Sequence, residues 1–239
     1  MNKGTLYLIP CPISDETAPW EVLPSANRAV MDSLDYFIVE NTRTARRFLS
    51  KAGVSRPIDS LEFRELNEHT VAGAAVEELI KPLLEGRSAG VISEAGVPCV
   101  ADPGAWVVEA AHRKGIRVVP LVGPSSILLA VMASGLNGQS FAFNGYLPVK
   151  PAERQKAIRH FERRAIQERQ SQLFIEAPYR NQKLFTELLQ TLQSETRLTV
   201  AMELTAPNEW IRTMRVAEWR KAAQPDLQRH PAIYIIGGI

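Results

Sequence analysis

The order of strand and helix patterns predicts an α/β protein of two domains, with a mainly parallel amino-terminal sheet and a mixed carboxy-terminal sheet. Three observations carry this. Short apolar runs alternate with helical patterns through the first half, at 5–10, 36–40, 57–63, Ala89–Ile92 and 116–121, the signature of stacked βαβ units. Beyond residue 140 the strand patterns fall at 141–144, 172–176, 198–203, 209–214 and 232–236, and hairpin-like neighbours near the end imply antiparallel pairing. Between the halves, Val122-Gly-Pro-Ser-Ser126 interrupts the alternation. A boundary there gives domains 1–121 and 122–239.

Each element has a local reason. After the first strand, 11–24 reads as a long polar, Pro-rich loop, and Ser25 can cap a helix carrying Ala29, Val30 and Leu34. Asn41 or Thr42 can cap the helix that follows the second strand and ends near Gly53. A helix over 69–85 puts Val76, Leu79, Ile80 and Leu83 on one side, with Gly86 as its stop. The pattern at 106–114 is helical and stops at Gly115. In the second half, helices fit 127–133, stopped by Gly135, the basic stretch 151–170, then 179–193 and 216–223.

Composition narrows the function. Apolar residues are 45%, charged residues 23% and the net charge is +2, an ordinary globular balance that neither demands nor excludes a nucleic-acid partner. No run approaches the roughly 20 apolar residues of a membrane span. The amino-terminal pattern is a strand too short for a signal peptide. Cys11 and Cys99 are the only cysteines, so no disulfide framework or zinc spacing exists and no metal is expected. Both thiols are expected reduced, on one rim of the sheet, and the expected compartment is the cytoplasm. Neither a G-x-x-x-x-G-K-[ST] loop nor a G-x-G-x-x-G after a strand is present. Without G-x-S-x-G, and with scattered histidines, a hydrolase triad is not expected.

The chemistry concentrates in loops that end strands. Ser93-Glu-Ala-Gly-Val-Pro-Cys-Val-Ala-Asp-Pro-Gly104 places twelve residues, with two glycines and two prolines, between a strand and a helix. That is more than a connection needs, and ligands of open parallel sheets bind at the carboxyl ends of strands. The other such loops are Cys11-Pro-Ile-Ser-Asp15, Glu40-Asn-Thr-Arg43, Gly123-Pro-Ser-Ser126 and Glu176-Ala-Pro-Tyr-Arg180.

Ile92–Gly104, Pro120-Leu-Val-Gly-Pro-Ser-Ser126, Phe143-Asn-Gly-Tyr-Leu-Pro148, Glu176-Ala-Pro-Tyr-Arg180 and Glu203-Leu-Thr205 recur together, in this order, in the tetrapyrrole methylase superfamily. The chain resembles that superfamily over nearly its whole length, most closely the bacterial small-subunit ribosomal RNA ribose 2′-O-methyltransferases. The resemblance implies S-adenosyl-L-methionine in a cleft between two α/β domains, and a homodimer. It implies that Ser93, Glu94, Ala95, Gly96, Val97 and Pro98, with Ser125 and Ser126, face the cofactor from the first domain and linker, and Met202 and Leu204 from the second. The chain departs from the ribose-methylating pattern in four loops. Pro-Ile-Gly-Asn is Pro12-Ile-Ser-Asp15, Glu-Asp-Thr-Arg is Glu40-Asn-Thr-Arg43, Glu-Ala-Pro-His-Arg ends at Arg180 with Tyr179, and Glu-Leu-Thr-Lys ends at Ala206. Those loops are the ones expected to meet the acceptor.

Methyl transfer needs alignment of donor and nucleophile above all, and a ribose hydroxyl gains from a base. Glu40 is the candidate base and Arg43 the candidate phosphate contact. Two basic stretches, Arg43, Arg46, Arg47 and Lys51, then Arg154, Lys156, Arg159, Arg163 and Arg164, fit a ribosomal RNA substrate, although solvated helix faces look the same. A tetrapyrrole or other small-molecule acceptor, and a catalytically silent RNA-binding module, stay open at this stage.

Overall fold

A computed structural model describes residues 2–66 and 73–237. The chain forms two compact units, Met1–Ser125 and Ser126–Ile239. The first runs β1 (Thr5–Leu8), α1 (Pro19–Val22), α2 (Ala26–Ser33), β2 (Tyr36–Val39), α3 (Thr42–Ala52), β3 (Glu62–Glu65), α4 (Ala74–Leu84), β4 (Ala89–Ile92), α5 (Gly104–Arg113) and β5 (Arg117–Pro120). Its five-stranded sheet has the order β3-β2-β4-β1-β5, and every pairing is parallel. The α/β reading therefore holds, parallel sheet included.

The inner strands explain themselves. β2 (Tyr-Phe-Ile-Val) and β4 (Ala-Gly-Val-Ile) are buried at every position, as strands covered by helices on both faces must be. Leu6, Ile38 and Val91 pack with α4 and α5 on one face. Ile9, Phe37, Val39 and Ile92 pack with α2 and α3 on the other. Gly90 makes room there, since a Cβ would lie 2.6 Å from the Ile9 Cδ1. Interleaving puts β4 between β1 and β2. The carboxyl ends of those three strands, and the loops that leave them, are therefore neighbours.

Three local expectations change. Ser25 makes no cap, because its backbone is already helical (φ −58°, ψ −26°) and its side chain accepts no capping bond. The third strand is not at 57–63: Pro57 opens a tight turn over Ile58–Ser60, and pairing begins only at Glu62, opposite Tyr36. The loop 11–24 contains α1, with Pro19 at its first position, where the missing N–H costs nothing. The expected helix start at His69 lies outside the described residues. By contrast, Asn41 does cap α3, its Oδ1 accepting from Arg43 N and Thr44 N, and Gly53 ends the helix at φ 66°.

The second unit runs α6 (Ser126–Ser134), β6 (Phe141–Tyr146), α7 (Pro151–Gln167), β7 (Ser171–Ile175), α8 (Asn181–Thr191), β8 (Arg197–Met202), β9 (Trp210–Arg215), α9 (Val216–Trp219) and β10 (Ala232–Gly237). Its sheet order is β6-β7-β10-β8-β9. β6 and β7 are parallel, and the remaining pairs are antiparallel, giving the mixed sheet expected. Trp219, Phe174, Tyr234 and Phe185 centre the larger core, while Ala130 of α6 packs with Leu173, Ala201 and Ile235 in a second. α7 buries Arg154, Ile158, Glu162 and Ala165, a helical stripe in which two of the four positions are charged.

Candidate functional site

In the first unit, backbone and small side chains build the site. Cys11 N donates to Gly96 O (2.9 Å) and Gly96 N to Pro12 O (3.5 Å), so the loop after β4 is strapped to the loop after β1. Gly96 is left-handed (φ +70°), and a Cβ there would meet Pro124 O at 3.1 Å. Gly123 permits a closer approach still, since its Cβ would lie 2.3 Å from the Pro10 ring. Asn27, buried, donates to Val122 O (2.9 Å) and fixes the same segment.

The loop between β4 and α5 holds two further left-handed residues, Cys99 (φ 67°) and Ala101 (φ 61°). Such conformations persist only when their surroundings over-determine them. Asp102 does so, accepting from Cys99 N (2.6 Å) through Oδ2 and from Gly104 N (2.7 Å) through Oδ1. Burial pushes the Asp102 carboxyl above its ordinary value, against the pull of those N–H groups. Both cysteines are free, and burial pushes each thiol up to about 12. The Cys11 thiol donates to Ser93 O (3.4 Å), so it belongs to the same loop cluster as Cys99.

The expected site residues of this unit converge. Glu40 follows β2 half-buried, and its Oε2 accepts from Glu94 N (3.4 Å). Thr44 donates to Glu94 Oε1 (2.6 Å), tying α3 to the same loop. Arg43 is exposed in the first turn of α3, where it makes no ion pair among the described residues. Glu94 and Ala95 are exposed, Gly96 and Pro98 buried, Ser93 and Val97 between. The Ser93 hydroxyl is buried with no hydrogen-bond partner. Ser125 and Ser126 are half-buried at the end of the first unit and the start of α6.

In the second unit, Met202 ends β8 and Leu204 is buried just beyond it. Between them Glu203 is left-handed (φ 52°), and its Oε1 bonds His230 Nδ1 (2.7 Å). The segment 176–180 is held by buried charge. Arg180 donates to Glu176 Oε1 from Nε (2.9 Å) and Nη2 (2.5 Å). Arg154 lies 3.7 Å from Glu176 Oε2 and forms a bidentate pair with Glu187 (2.5 and 3.0 Å).

Several basic residues expected at an RNA surface are therefore committed elsewhere. Arg154 is buried, Arg164 is bidentate to Glu168, Arg46 pairs with Asp59 and Arg47 with Asp15. Lys51 donates to Asp15 O (2.8 Å). Asp15, one of the departures from the ribose-methylating pattern, is thus what ties down the exposed base of α3. Lys156, Arg159 and Arg163 make no ion pair among the described residues and line a groove of about 600 Å³ beside α7.

Asn27, Pro10 and the Glu203–His230 pair were not singled out from the sequence, and Arg154 was singled out only as a surface cation. Only Arg154 had a usable signal, its place on the apolar stripe of α7 with Ile158 and Ala165. No metal-binding group of His, Cys, Asp or Glu exists among the described residues, and no described helix is long and apolar enough to cross a membrane.

A parallel unit with unusual loops at its strand ends, followed by a mixed-sheet unit, defines a two-unit α/β class. The solved structure of the methyltransferase CobJ superposes with a TM-score of 0.64 over 98% of this chain and 94% of its own, at 17% identity. The sequence model of the Tetrapyrrole (Corrin/Porphyrin) Methylases matches residues 20–219. Ribosomal RNA small subunit methyltransferase I of Xylella fastidiosa is 34% identical over 204 residues, 85% of this chain and 70% of that protein. The protein of the same name from Pseudomonas aeruginosa is 31% identical over 241 residues, spanning 100% of this chain and 80% of its own length. The chain belongs to the tetrapyrrole methylase family and is an S-adenosylmethionine-dependent methyltransferase.

Proposed function

We propose that this enzyme methylates the 2′-hydroxyl of a ribose in small-subunit ribosomal RNA. The observation that carries the reading is kinship: relatives named for ribosomal RNA methylation reach 31–34% identity across 85–100% of the chain, whereas the methyltransferase CobJ, with the same fold, is at 17%. The uncommitted cations Lys156, Arg159 and Arg163 along one groove support it, since phosphate backbones are held by such charges.

The first unit fits the cofactor in one specific respect. Its loop presents a buried, unpartnered hydroxyl on Ser93 beside the exposed residues Glu94 and Ala95, and a buried polar group is kept only where something satisfies it. Ser93, Glu94, Ala95, Gly96, Val97, Pro98 and Ser125 would hold it from this unit. S-Adenosylmethionine, when bound, supplies an electrophilic methyl group on a sulfonium. Glu40, oriented by the N–H of Glu94, would take the proton of the ribose hydroxyl as the methyl group passes to that oxygen, its bond to the sulfonium sulfur breaking and the sulfur leaving as a neutral thioether. Arg43 grips an adjoining phosphate.

The test supplies methyl-labelled S-adenosylmethionine to small ribosomal subunits and, separately, to a porphyrinogen. Label in ribosomal RNA, with one internucleotide bond made resistant to alkali, is the expected result, and Glu40→Gln should lower kcat by at least about 100-fold. Label in the porphyrinogen alone overturns the reading.

A second copy of the chain is the expected partner. α6 is apolar on every side, with Leu128 52% and Met132 78% exposed, and exposed apolar faces of this kind mark association sites. Sedimentation of the wild type as a dimer, and of Met132→Asp as a monomer, would bear this out.

A further inference from the structure

We infer that Tyr146, Tyr179 and Arg180 form a stacking platform that seats an unpaired RNA base; the inference rests on the RNA reading above. Tyr146 and Tyr179 are 62% and 69% exposed, unusual for large rings whose burial is normally rewarded. They leave neighbouring strands. Tyr146 is the last residue of β6, and Tyr179 follows β7, the strand paired with it.

Two devices set these rings where they are. In β6 the register slips between Phe143 and Tyr146, so that Tyr146 rather than Gly145 stands beside Ile175. Gly145, left-handed at φ 64°, absorbs the extra residue. Bulges of this type re-aim a side chain at the end of a strand. The Arg180 guanidinium lies over the Tyr179 ring, 4.9 Å from its centroid, and its Nη1 donates to the Tyr179 hydroxyl at 2.7 Å. Its other face of donors is locked on Glu176, whose side chain is wholly buried. The Arg180 guanidinium is therefore held on two sides, by the Tyr179 ring and hydroxyl and by a buried carboxylate.

The chemistry selects the occupant. An Arg180 free to rotate would suit a carboxylate or phosphate, but this one has Nε, Nη1 and Nη2 already engaged. Neutralised by Glu176, it offers its plane rather than its charge. A polycarboxylate macrocycle would find little to pair with here. A neutral nucleobase would find aromatic and guanidinium planes, the surfaces on which single-stranded bases stack.

The experiment measures anisotropy of a labelled single-stranded oligoribonucleotide of mixed sequence, and of the same strand in a duplex, together with KM for small ribosomal subunits. Tyr146→Ala and Tyr179→Ala should each weaken single-strand binding by about 5- to 100-fold. Their Phe variants should stay within about twofold, because the ring is what stacks. The slope of affinity against salt should be unchanged, since no phosphate contact is removed. Alanine variants that bind and methylate like wild type overturn the platform while leaving the RNA reading intact. Equal loss in the Phe variants, equal binding of duplex, or conversion to monomer by Tyr146→Ala also overturns it. A wild type that binds and methylates no RNA, but shifts the absorption of a porphyrin, overturns both readings. Both side chains are mostly exposed, and melting temperatures of the variants check that the fold is intact.

Discussion

The two units hold their strand-end loops by opposite means. In the first, the segment 93–104 is fixed by backbone bonds, left-handed residues and one half-buried carboxylate, Asp102. In the second, the segment 176–180 is fixed by a web of Arg154, Glu176, Arg180 and Glu187, two of whose side chains are 3% or less exposed. Backbone scaffolding fixes a loop without a buried ion pair, so a substitution there acts through strain and sterics. Charge scaffolding is stiff but unforgiving, because removing one member strands another charge away from water.

The difference predicts where each unit breaks. Arg154→Ala should cost about 3–5 kcal/mol, the usual penalty for orphaning buried charges, read from urea unfolding as a lower midpoint at constant slope. Arg154→Lys keeps the charge but loses the bidentate fork and should fall between. A cost below about 1 kcal/mol for Arg154→Ala would mean that packing, not charge, holds this loop.

No charge is involved at Gly96, yet Gly96→Val should be nearly as damaging to function. A β-branched residue at φ +70°, with its Cβ 3.1 Å from Pro124 O, costs about 1–3 kcal/mol of strain. It would also displace the segment proposed to meet the cofactor. Calorimetry with S-adenosylmethionine should find affinity reduced at least about tenfold. Unchanged affinity would remove Gly96 from the pocket.

Asp102 sharpens the comparison through pH. Its carboxyl is raised by burial, so the folded state favours the protonated form. The stability this adds is fully present below the ordinary value of 3.8 and is lost as pH rises through the raised folded value. Asp102→Asn removes that dependence and one of two acceptors for Cys99 N and Gly104 N, a loss of about 1–3 kcal/mol. The variant's deficit should therefore be larger at low pH than at neutral pH, in parallel urea titrations. A deficit that grows with pH would mean that the carboxylate, not the acid, is the favoured form.

Much of this was readable in advance where one residue dictates one local geometry. β4 was bounded at Ala89–Ile92 by its unbroken apolar run, and α3 by Asn41 and Gly53. What escaped depends on contacts distant in sequence. Cys99 and Ala101 carry no mark of left-handed backbone, which Asp102 imposes from outside. Ser25 looked like a cap until the preceding chain arrived already helical. Arg154 read as a surface cation because its partner Glu187 is 33 residues away. In the same way, a run of arginines does not say which of them are already neutralised.

That last distinction yields the smallest effect, visible only as a slope. Arg163 and Arg164 are adjacent on α7. Arg164 is bidentate to Glu168 and also reaches Gln170 Oε1 at 3.0 Å. Arg163 faces the groove with no ion pair among the described residues. If phosphates follow that groove, Arg163→Gln should lower RNA affinity uniformly across sequences and flatten the plot of log affinity against log salt by about one unit. Arg164→Gln breaks an exposed pair and should leave the slope within error, with little change in stability. Equal slopes for both variants would mean that neither cation meets RNA. A larger change for Arg164 would mean that its carboxylate partner yields to phosphate, and the line between committed and available cations would then have to be redrawn.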